Sequence, residues 1–332
     1  MGNLRAGLIG MGSIGRHHAR ILSSLEGVTL VGIVDSGDIE KPPAKEFSSL
    51  DELLKQGIDY CVVAVPTILH AEIGLYLASQ GVHALIEKPI TDSLDSAVAV
   101  SAAFKEQGLI GAVGHVERFN GPIQQARMRI EGDQLGQIFQ IATRRQSPFP
   151  ARIADVGVVK DLATHDIELT SWVSSSFYDS VSAQISHKAG REFEDLVIVN
   201  ALMDSQIVVS HQVNWLSPFK ERSITITGEK GSFVADTLNG DLTFFANGNV
   251  PAVWEELAQF RGVSEGDVVR YAFPKPEPLR AEHEAFRDAV LGLSNKIVSM
   301  DEGVRVLAVA EAILESAKFN SVVHLQGNMS WN

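Results

Sequence analysis

Three residues stand in patterns suited to moving a proton. Asp161 and His165 are four apart in "KDLATHDIEL", a spacing that puts both side chains on one face of a helix. A carboxylate beside an imidazole orients the ring and stabilises its charged form, which suits a general base. Lys88 lies in Glu87-Lys88-Pro89, closing the apolar run "VHALIEKP". Proline there removes a backbone donor and fixes the turn, which helps hold the lysine. Each feature also has an ordinary reading: an exposed ion pair on a helix, and a surface lysine in a turn.

The elements that would position these groups are legible from apolar periodicity. "LRAGLIG", "VTLVGIVD", "DYCVVAVP", "VHALIEKP" and "LIGAVGH" read as short apolar strands. Between them, "SIGRHHARILSSL", "ILHAEIGLYLASQG" and "SLDSAVAVSAAFKEQG" carry helical spacing. Apolar strands separated by amphipathic helices predict a doubly wound parallel sheet covered on both faces. After Asp35, "SGDIEKPPAKEFSSL" has two prolines and scattered charges, so a loop or truncated helix is expected, with a short helix in "SLDELLKQG". In such a sheet ligands bind outside the carboxyl ends of the strands, which places Lys88 toward that crevice.

The first strand runs into "GLIGMGSIGRHHAR", with Gly10, Gly12 and Gly15 in the order G-x-G-x-x-G. A strand before it and a helix after it are the context in which such glycines hold a dinucleotide pyrophosphate at a helix N-terminus. Gly10 allows the tight turn, Gly12 close backbone approach, and Gly15 close helix–strand packing. Asp35 ends the second strand and suits the two hydroxyls of an adenosine ribose. No arginine follows between positions 36 and 40 to accept a 2′-phosphate, so NAD is favoured over NADP. His18 is expected to pack inward and His17 to face solvent.

Beyond residue 120 the pattern changes. "PIQQARMRIEG" reads as a helix, and a series of strands follows: "QIFQIATRRQ", "SVSAQISHK", "DLVIVNALM", "QIVVSHQVNW", "RSITITG", "GSFVAD" and "DLTFFAN". Turns at Asp204-Ser205, Gly228, Asn239-Gly240 and Asn247-Gly248 suit an antiparallel sheet. The helix "VVKDLATHDIELTSWV" interrupts this series, and two helices close the chain. The expected division is a nucleotide-binding domain over 1–120 and an α+β domain over 121–332. Arg144, Arg145 and Arg152, between the second domain's first strand and the Asp161 helix, form a basic group suited either to forked phosphate binding or to salt bridges along a sheet edge.

The bulk numbers narrow the class. The chain has 332 residues, 45% hydrophobic, with a formal charge of −13. An acidic balance speaks against a general nucleic-acid binder. The single cysteine, Cys61, rules out an intrachain disulfide and sits in an apolar strand. No apolar stretch approaches the ~20 residues of a membrane span, and no cleavable leader is apparent. The expectation is a cytoplasmic chain with no membrane or nucleic-acid partner. No H-E-x-x-H motif or cysteine cluster is present, so no metal site is expected.

Together "GLIGMGSIGRHHAR", "AVPTILHAE", "IEKPI", "VGHVERFN" and "DVGVVKDLATHDIE" resemble the glucose–fructose oxidoreductase/inositol dehydrogenase (Gfo/Idh/MocA) family, in order from residue 7 to residue 168. The resemblance implies a Rossmann domain binding NAD and a second domain whose large, mostly antiparallel, open-faced sheet buries itself in a homodimer or homotetramer. It implies that Lys88, Asp161 and His165 are catalytic in a sugar dehydrogenase; which of Lys88 and His165 takes the hydroxyl proton stays open. The implied cofactor set is Gly10, Gly12, Ser13, Ile14, Gly15, Asp35, Pro66, Thr67, His70, Glu87 and Lys88, with His70 as lining. The implied substrate set is Lys88, Arg118, Asn120 and His165; Arg144, Arg145 and Arg152 join it through their local charge, independently of the resemblance. "VGHVERFN" and "RIADVGVVKDLATHDIE" are similar to a subgroup that oxidises the 3-hydroxyl of UDP-N-acetylglucosamine. The chain departs from that subgroup at Lys160, where an aliphatic residue is expected, and at Glu168, where aspartate is usual. A free polyol or aldose as substrate, and a non-catalytic NAD(H)-binding regulator, are the alternatives.

Overall fold

The computed structural model describes residues 3–37, 42–150, 156–190, 192–248 and 264–325. The chain forms two compact units, Met1–Phe119 with Glu277–Ala308, and Asn120–Pro276 with Val309–Ser330.

The first unit is built on β1 (Leu4–Ile9), β2 (Val28–Val34), β3 (Lys45–Phe47), β4 (Tyr60–Val63), β5 (His83–Glu87) and β6 (Gly111–Gly114). All pairings are parallel, in the order β3-β2-β1-β4-β5-β6. The segment expected as a loop or truncated helix after Asp35 contributes the short edge strand β3, followed by the five-residue helix α2 (Leu50–Leu54). Residues 38–41 of that segment lie outside the described residues. Helices α2, α3 (His70–Ser79) and α4 (Leu94–Glu106) supply Leu53, Leu77, Val100 and Phe104 to one apolar layer.

The opposite face has only α1 (Ser13–Leu22) from the crossover series. A parallel sheet needs both faces covered. The cover comes from far along the chain: α7 (Pro278–Val290) sets Phe286 against Tyr60 of β4, ring centroids 5.3 Å apart and edge-on. The stretch Glu277–Ala308 thus returns to the first unit, where the linear division at 120/121 had left it with the second.

The second unit carries α5 (Gly121–Glu131) and a nine-stranded sheet: β7 (Ile138–Pro148), β8 (Tyr178–Ser186), β9 (Leu196–Met203), β10 (Val208–Asn214), β11 (Leu216–Gly228), β12 (Gly231–Asp236), β13 (Asp241–Gly248), β14 (Ser264–Arg270) and β15 (Val323–His324). Their order is β14-β13-β12-β11-β7-β10-β9-β8-β15. Only the β7–β10 pair is parallel. It is the product of the helical crossover between β7 and β8. β14 and β15, the two edges, are not anticipated by the apolar pattern, and Asn247-Gly248 closes β13 instead of forming a turn. The inner face holds Ile141, Val199, Val209, Ile224 and Phe233. The other face leaves Ile198, Val208 and Phe245 exposed. The last helix, α8 (Met300–Phe319), runs across the division between the units. No helix among the described residues is long and apolar enough to cross a membrane.

Candidate active site

The glycine loop joins β1 to α1 as its context required. Gly10 has φ +95°, and a Cβ on it would lie 2.4 Å from the carbonyl oxygen of Ala64. A Cβ on Gly15 would lie 2.1 Å from the oxygen of Gly10. Internal packing alone demands these two glycines. Gly12 is different: a Cβ there meets nothing within 4 Å. Gly12 is also the N-cap of α1, with no side-chain cap and no acidic residue in the first turn. The exposed backbone of Gly12, Ser13 and Ile14 therefore offers uncapped N–H groups and the positive end of the helix dipole to an anion. Asp35 lies at the end of β2, its carboxylate accepting from the amides of Met11 and Gly37. Carboxylate oxygens have spare lone pairs, so both can still receive a ribose hydroxyl. Pro66 and Thr67 follow β4 at the same carboxyl edge, Pro66 exposed and Thr67 half-buried. These residues fit a dinucleotide.

Lys88 is half-buried at the end of β5 and precedes a cis peptide bond to Pro89. Its neighbours are held by hydrogen bonds within the unit. His70 is buried, its Nδ1 2.9 Å from the Pro89 carbonyl oxygen and its Nε2 3.0 Å from that of Val65. Burial holds its pKa below the ordinary histidine value, against the pull of those carbonyls. His70 braces the lysine turn against the end of β4 through both ring nitrogens. The Glu87 carboxylate is likewise spent inside the unit. It meets His18 at 2.8 Å and accepts from the Lys88 amide at 3.1 Å. Burial opposes its charge, but the His18 hydrogen bond, with the charge and amide of Lys88, outweighs that, so the carboxyl lies below its usual range. His115, just past β6, is pushed down to about 3 by burial and by the charges of Arg118 and Lys88.

In the second unit Asp161 lies in a π-turn, Val159–Ala163, that leads into α6 (Thr164–Ser174). The wider turn changes the angle between Asp161 and His165 from the α-helical value their spacing assumed. Both are buried, 8% and 9% exposed, which excludes the exposed-pair reading. The turn is held from outside: Glu194, just before β9, accepts the Val159 amide at 3.0 Å, and its own carbonyl accepts the Val158 amide at 3.0 Å. A Cβ on Gly157 would sit 2.0 Å from the Glu194 carboxylate, so a larger residue there would displace the side chain that holds the turn. A negative group at a helix start is favourable. Sequence reasoning missed Glu194, since nothing in local spacing links it to residue 159. Lys160 pairs with Glu311 of α8 at 3.6 Å, and Glu168 is buried.

The arginine group comes apart. Adjacent strand residues point to opposite faces. Arg145 therefore faces α6, where its Nε lies 3.1 Å from both carboxylate oxygens of Asp166, with both side chains buried. Arg144 faces the other way, about half exposed, 3.6 Å from Glu221. The two cannot fork one phosphate beside His165, a conclusion that strict alternation along β7 already contained. Arg152 lies outside the described residues. Arg118 is buried and donates to Glu302 at 2.7 Å and to the Ile297 carbonyl at 3.1 Å, inside the first unit. Asn120, the N-cap residue of α5, donates to the Thr237 carbonyl at 3.1 Å.

Two family models match the chain: an oxidoreductase family with an NAD-binding Rossmann fold over residues 4–115, and a GFO/IDH/MocA C-terminal domain over residues 123–234. The chain belongs to the Gfo/Idh/MocA oxidoreductase family. The parallel unit is its NAD-binding Rossmann domain. The UDP-N-acetylglucosamine 3-dehydrogenase of Acidithiobacillus ferrooxidans is 26% identical over 93% of this chain and 95% of its own length. A solved structure of that enzyme matches with a TM-score of 0.83, covering 96% of this chain and 99% of the other. The NAD(+)-dependent scyllo-inositol 2-dehydrogenase of Bacillus subtilis is 28% identical over 54% of this chain and 56% of its own. Levoglucosan dehydrogenase, solved with NADH, is 20% identical with a TM-score of 0.84 over 97% of this chain and 99% of its own, and shares the fold.

Proposed function

We propose that this Gfo/Idh/MocA member oxidises a sugar hydroxyl with NAD, the 3-hydroxyl of a UDP-N-acetylglucosamine-type nucleotide sugar. The observation that carries the reading is the half-buried lysine at the carboxyl edge of the NAD-binding sheet, in a chain that aligns almost end to end with a UDP-N-acetylglucosamine 3-dehydrogenase. Gly10, Gly12, Ser13, Ile14, Gly15, Asp35, Pro66 and Thr67 would hold NAD, which when bound accepts hydride at the nicotinamide ring.

The chain's own residues would do the rest. The His165 imidazole takes the proton of the reacting hydroxyl, and Asp161 orients that ring. The Lys88 ammonium donates a hydrogen bond to the same oxygen and stabilises the negative charge that develops on it. Burial of Asp161 and His165 keeps water from competing for the proton. The exposed sheet face with Ile198, Val208 and Phe245 fits a homodimer or homotetramer, which sedimentation would establish.

A second reading has a specific observation behind it. Arg144 and Arg145 are committed to Glu221 and Asp166, so neither argues for a phosphate-bearing substrate. A polyol or aldose is therefore the competing substrate class. NAD reduction with UDP-N-acetylglucosamine, myo-inositol and glucose separates the two. His165→Asn should lower turnover about 100-fold or more with the best substrate while NADH binding persists. Full turnover in that variant would refute the role of the imidazole.

A further inference from the structure

A buried chain of hydrogen bonds ends at the lysine turn and is not used by the chemistry above. His18, on α1, is fully buried. Its Nε2 lies 2.8 Å from Glu87 Oε1 and its Nδ1 lies 2.8 Å from His283 Nε2, on α7. Glu87 Oε2 accepts from the Lys88 amide at 3.1 Å. On the neighbouring strand, a Cβ on Gly114 would lie 3.0 Å from Glu87 Oε1, so β6 leaves just the room this carboxylate fills.

Proton accounting gives the chain a direction. An ionised carboxylate only accepts, so His18 Nε2 carries hydrogen. Burial above all holds the His283 pKa well below the ordinary value, leaving that ring one proton. His283 Nδ1 has no partner among the described residues. A buried donor without an acceptor is the costlier orphan, so the proton sits on Nε2 and points at His18 Nδ1. Every donor in the chain then points toward Glu87.

We propose that His18 is a positioning residue for Lys88: by fixing the Glu87 carboxylate, it sets the main chain of the lysine turn relative to α1, the helix whose start would carry the cofactor pyrophosphate. This rests on Lys88 acting at the reacting oxygen. Without the His18 donor, this largely enclosed carboxylate keeps a single hydrogen bond, from the Lys88 amide, and its shift carries that amide with it. An error of about 1 Å in a group of this kind can cost roughly 100-fold in rate.

The test compares His18→Asn, His18→Gln, Glu87→Gln and Lys88→Ala in the intact chain. NADH binding is measured by fluorescence titration, and kcat and KM by NAD reduction with whichever of UDP-N-acetylglucosamine, myo-inositol and glucose is turned over. His18→Asn should lower kcat by about 10-fold or more, with KM and the NADH Kd within about twofold. His18→Gln should recover most of kcat, because its amide nitrogen reaches the place of the ring Nε2 and that of asparagine does not. Equal kcat in the two variants, or wild-type kcat in His18→Asn beside an inactive Lys88→Ala, overturns the proposal and leaves the lysine reading intact. Wild-type turnover in Lys88→Ala overturns both. If His18→Asn loses NADH binding through misfolding, Glu87→Gln keeps the shape and removes the charge; wild-type kcat there also overturns the proposal. Independently of turnover, the imidazole nitrogen spectrum should show His18 with its proton on Nε2, and a proton on Nδ1 alone would overturn the assigned chain.

Discussion

The two units hold their functional side chains in opposite ways. Lys88 stands at a strand end, half-buried, and its turn is steadied by side chains from α3, β5 and α1: His70, Glu87 and His18. Asp161 and His165 sit inside a buried segment whose placement comes from its backbone: a π-turn anchored by Glu194 and a helix tied to the sheet by Arg145 and Asp166. A strand end leaves a side chain open to ligands but needs neighbours to aim it. A buried helix aims its side chains by itself, and the cost is a set of charged groups that have to be fully paired. Mutations should therefore disturb function first in one unit and stability first in the other.

The largest stability effect belongs to the second unit. Asp166→Ala takes the Asp166 carboxylate from the buried Arg145 guanidinium and should cost about 3–5 kcal/mol in chemical denaturation. A cost below about 1 kcal/mol would put this pair with exposed ones and erase the contrast. Within the first unit, the glycine loop separates fold from function. Gly10→Ala forces a positive φ and a backbone clash, and should destabilise by about 2 kcal/mol or more. Gly12→Ala has open space and an extended backbone, so stability should stay within about 0.5 kcal/mol while NADH binding weakens. Unchanged NADH affinity in Gly12→Ala would remove the pyrophosphate from that loop.

A third effect is set by pH. Burial opposes ionisation of Glu302, but the charge and hydrogen bond of Arg118 and the Ser299 hydrogen bonds outweigh it, so its pKa is lowered. A carboxyl lowered on folding contributes stability above its unfolded value, near about 4.3, and loses it as pH falls through the folded value. The Tm difference between wild type and Glu302→Gln should be widest at neutral pH and shrink on acidification; a constant difference down to pH ~3 would contradict the assignment. The smallest effect is Arg144→Ala, with under about 0.5 kcal/mol in stability and no change in KM for a nucleotide sugar. A selective rise in that KM would restore Arg144 to the substrate set.

Much of the first unit was legible because its signals are local. Five apolar strands, three helices, the glycine loop and Asp35 are each decided within a few residues of chain. His18 facing inward was legible as well, from helical spacing; its two partners, 69 and 265 residues away, were not. The internal partners of His70 and Glu87 were hidden for the same reason: a motif names the residue but not what its side chain already holds. In the second unit the arginines had two open readings, phosphate binding or salt bridging; Arg144 and Arg145 take the second, and the period of the strand already separates them. The π-turn left no mark in the apolar pattern, and the carboxylate that accepts its Val159 amide, Glu194, lies 35 residues on.

The sequence alone determined the strand–glycine–helix start, the acidic residue that follows β2, and the presence of a lysine, a carboxylate and an imidazole for proton chemistry, since these depend on steric and hydrogen-bonding properties of near neighbours. Tertiary structure decided which charges are already paired, which face each arginine takes, and that α7 returns to cover the Rossmann sheet. Those outcomes depend on burial, and burial is set by whatever distant segment supplies the missing apolar face or the opposite charge.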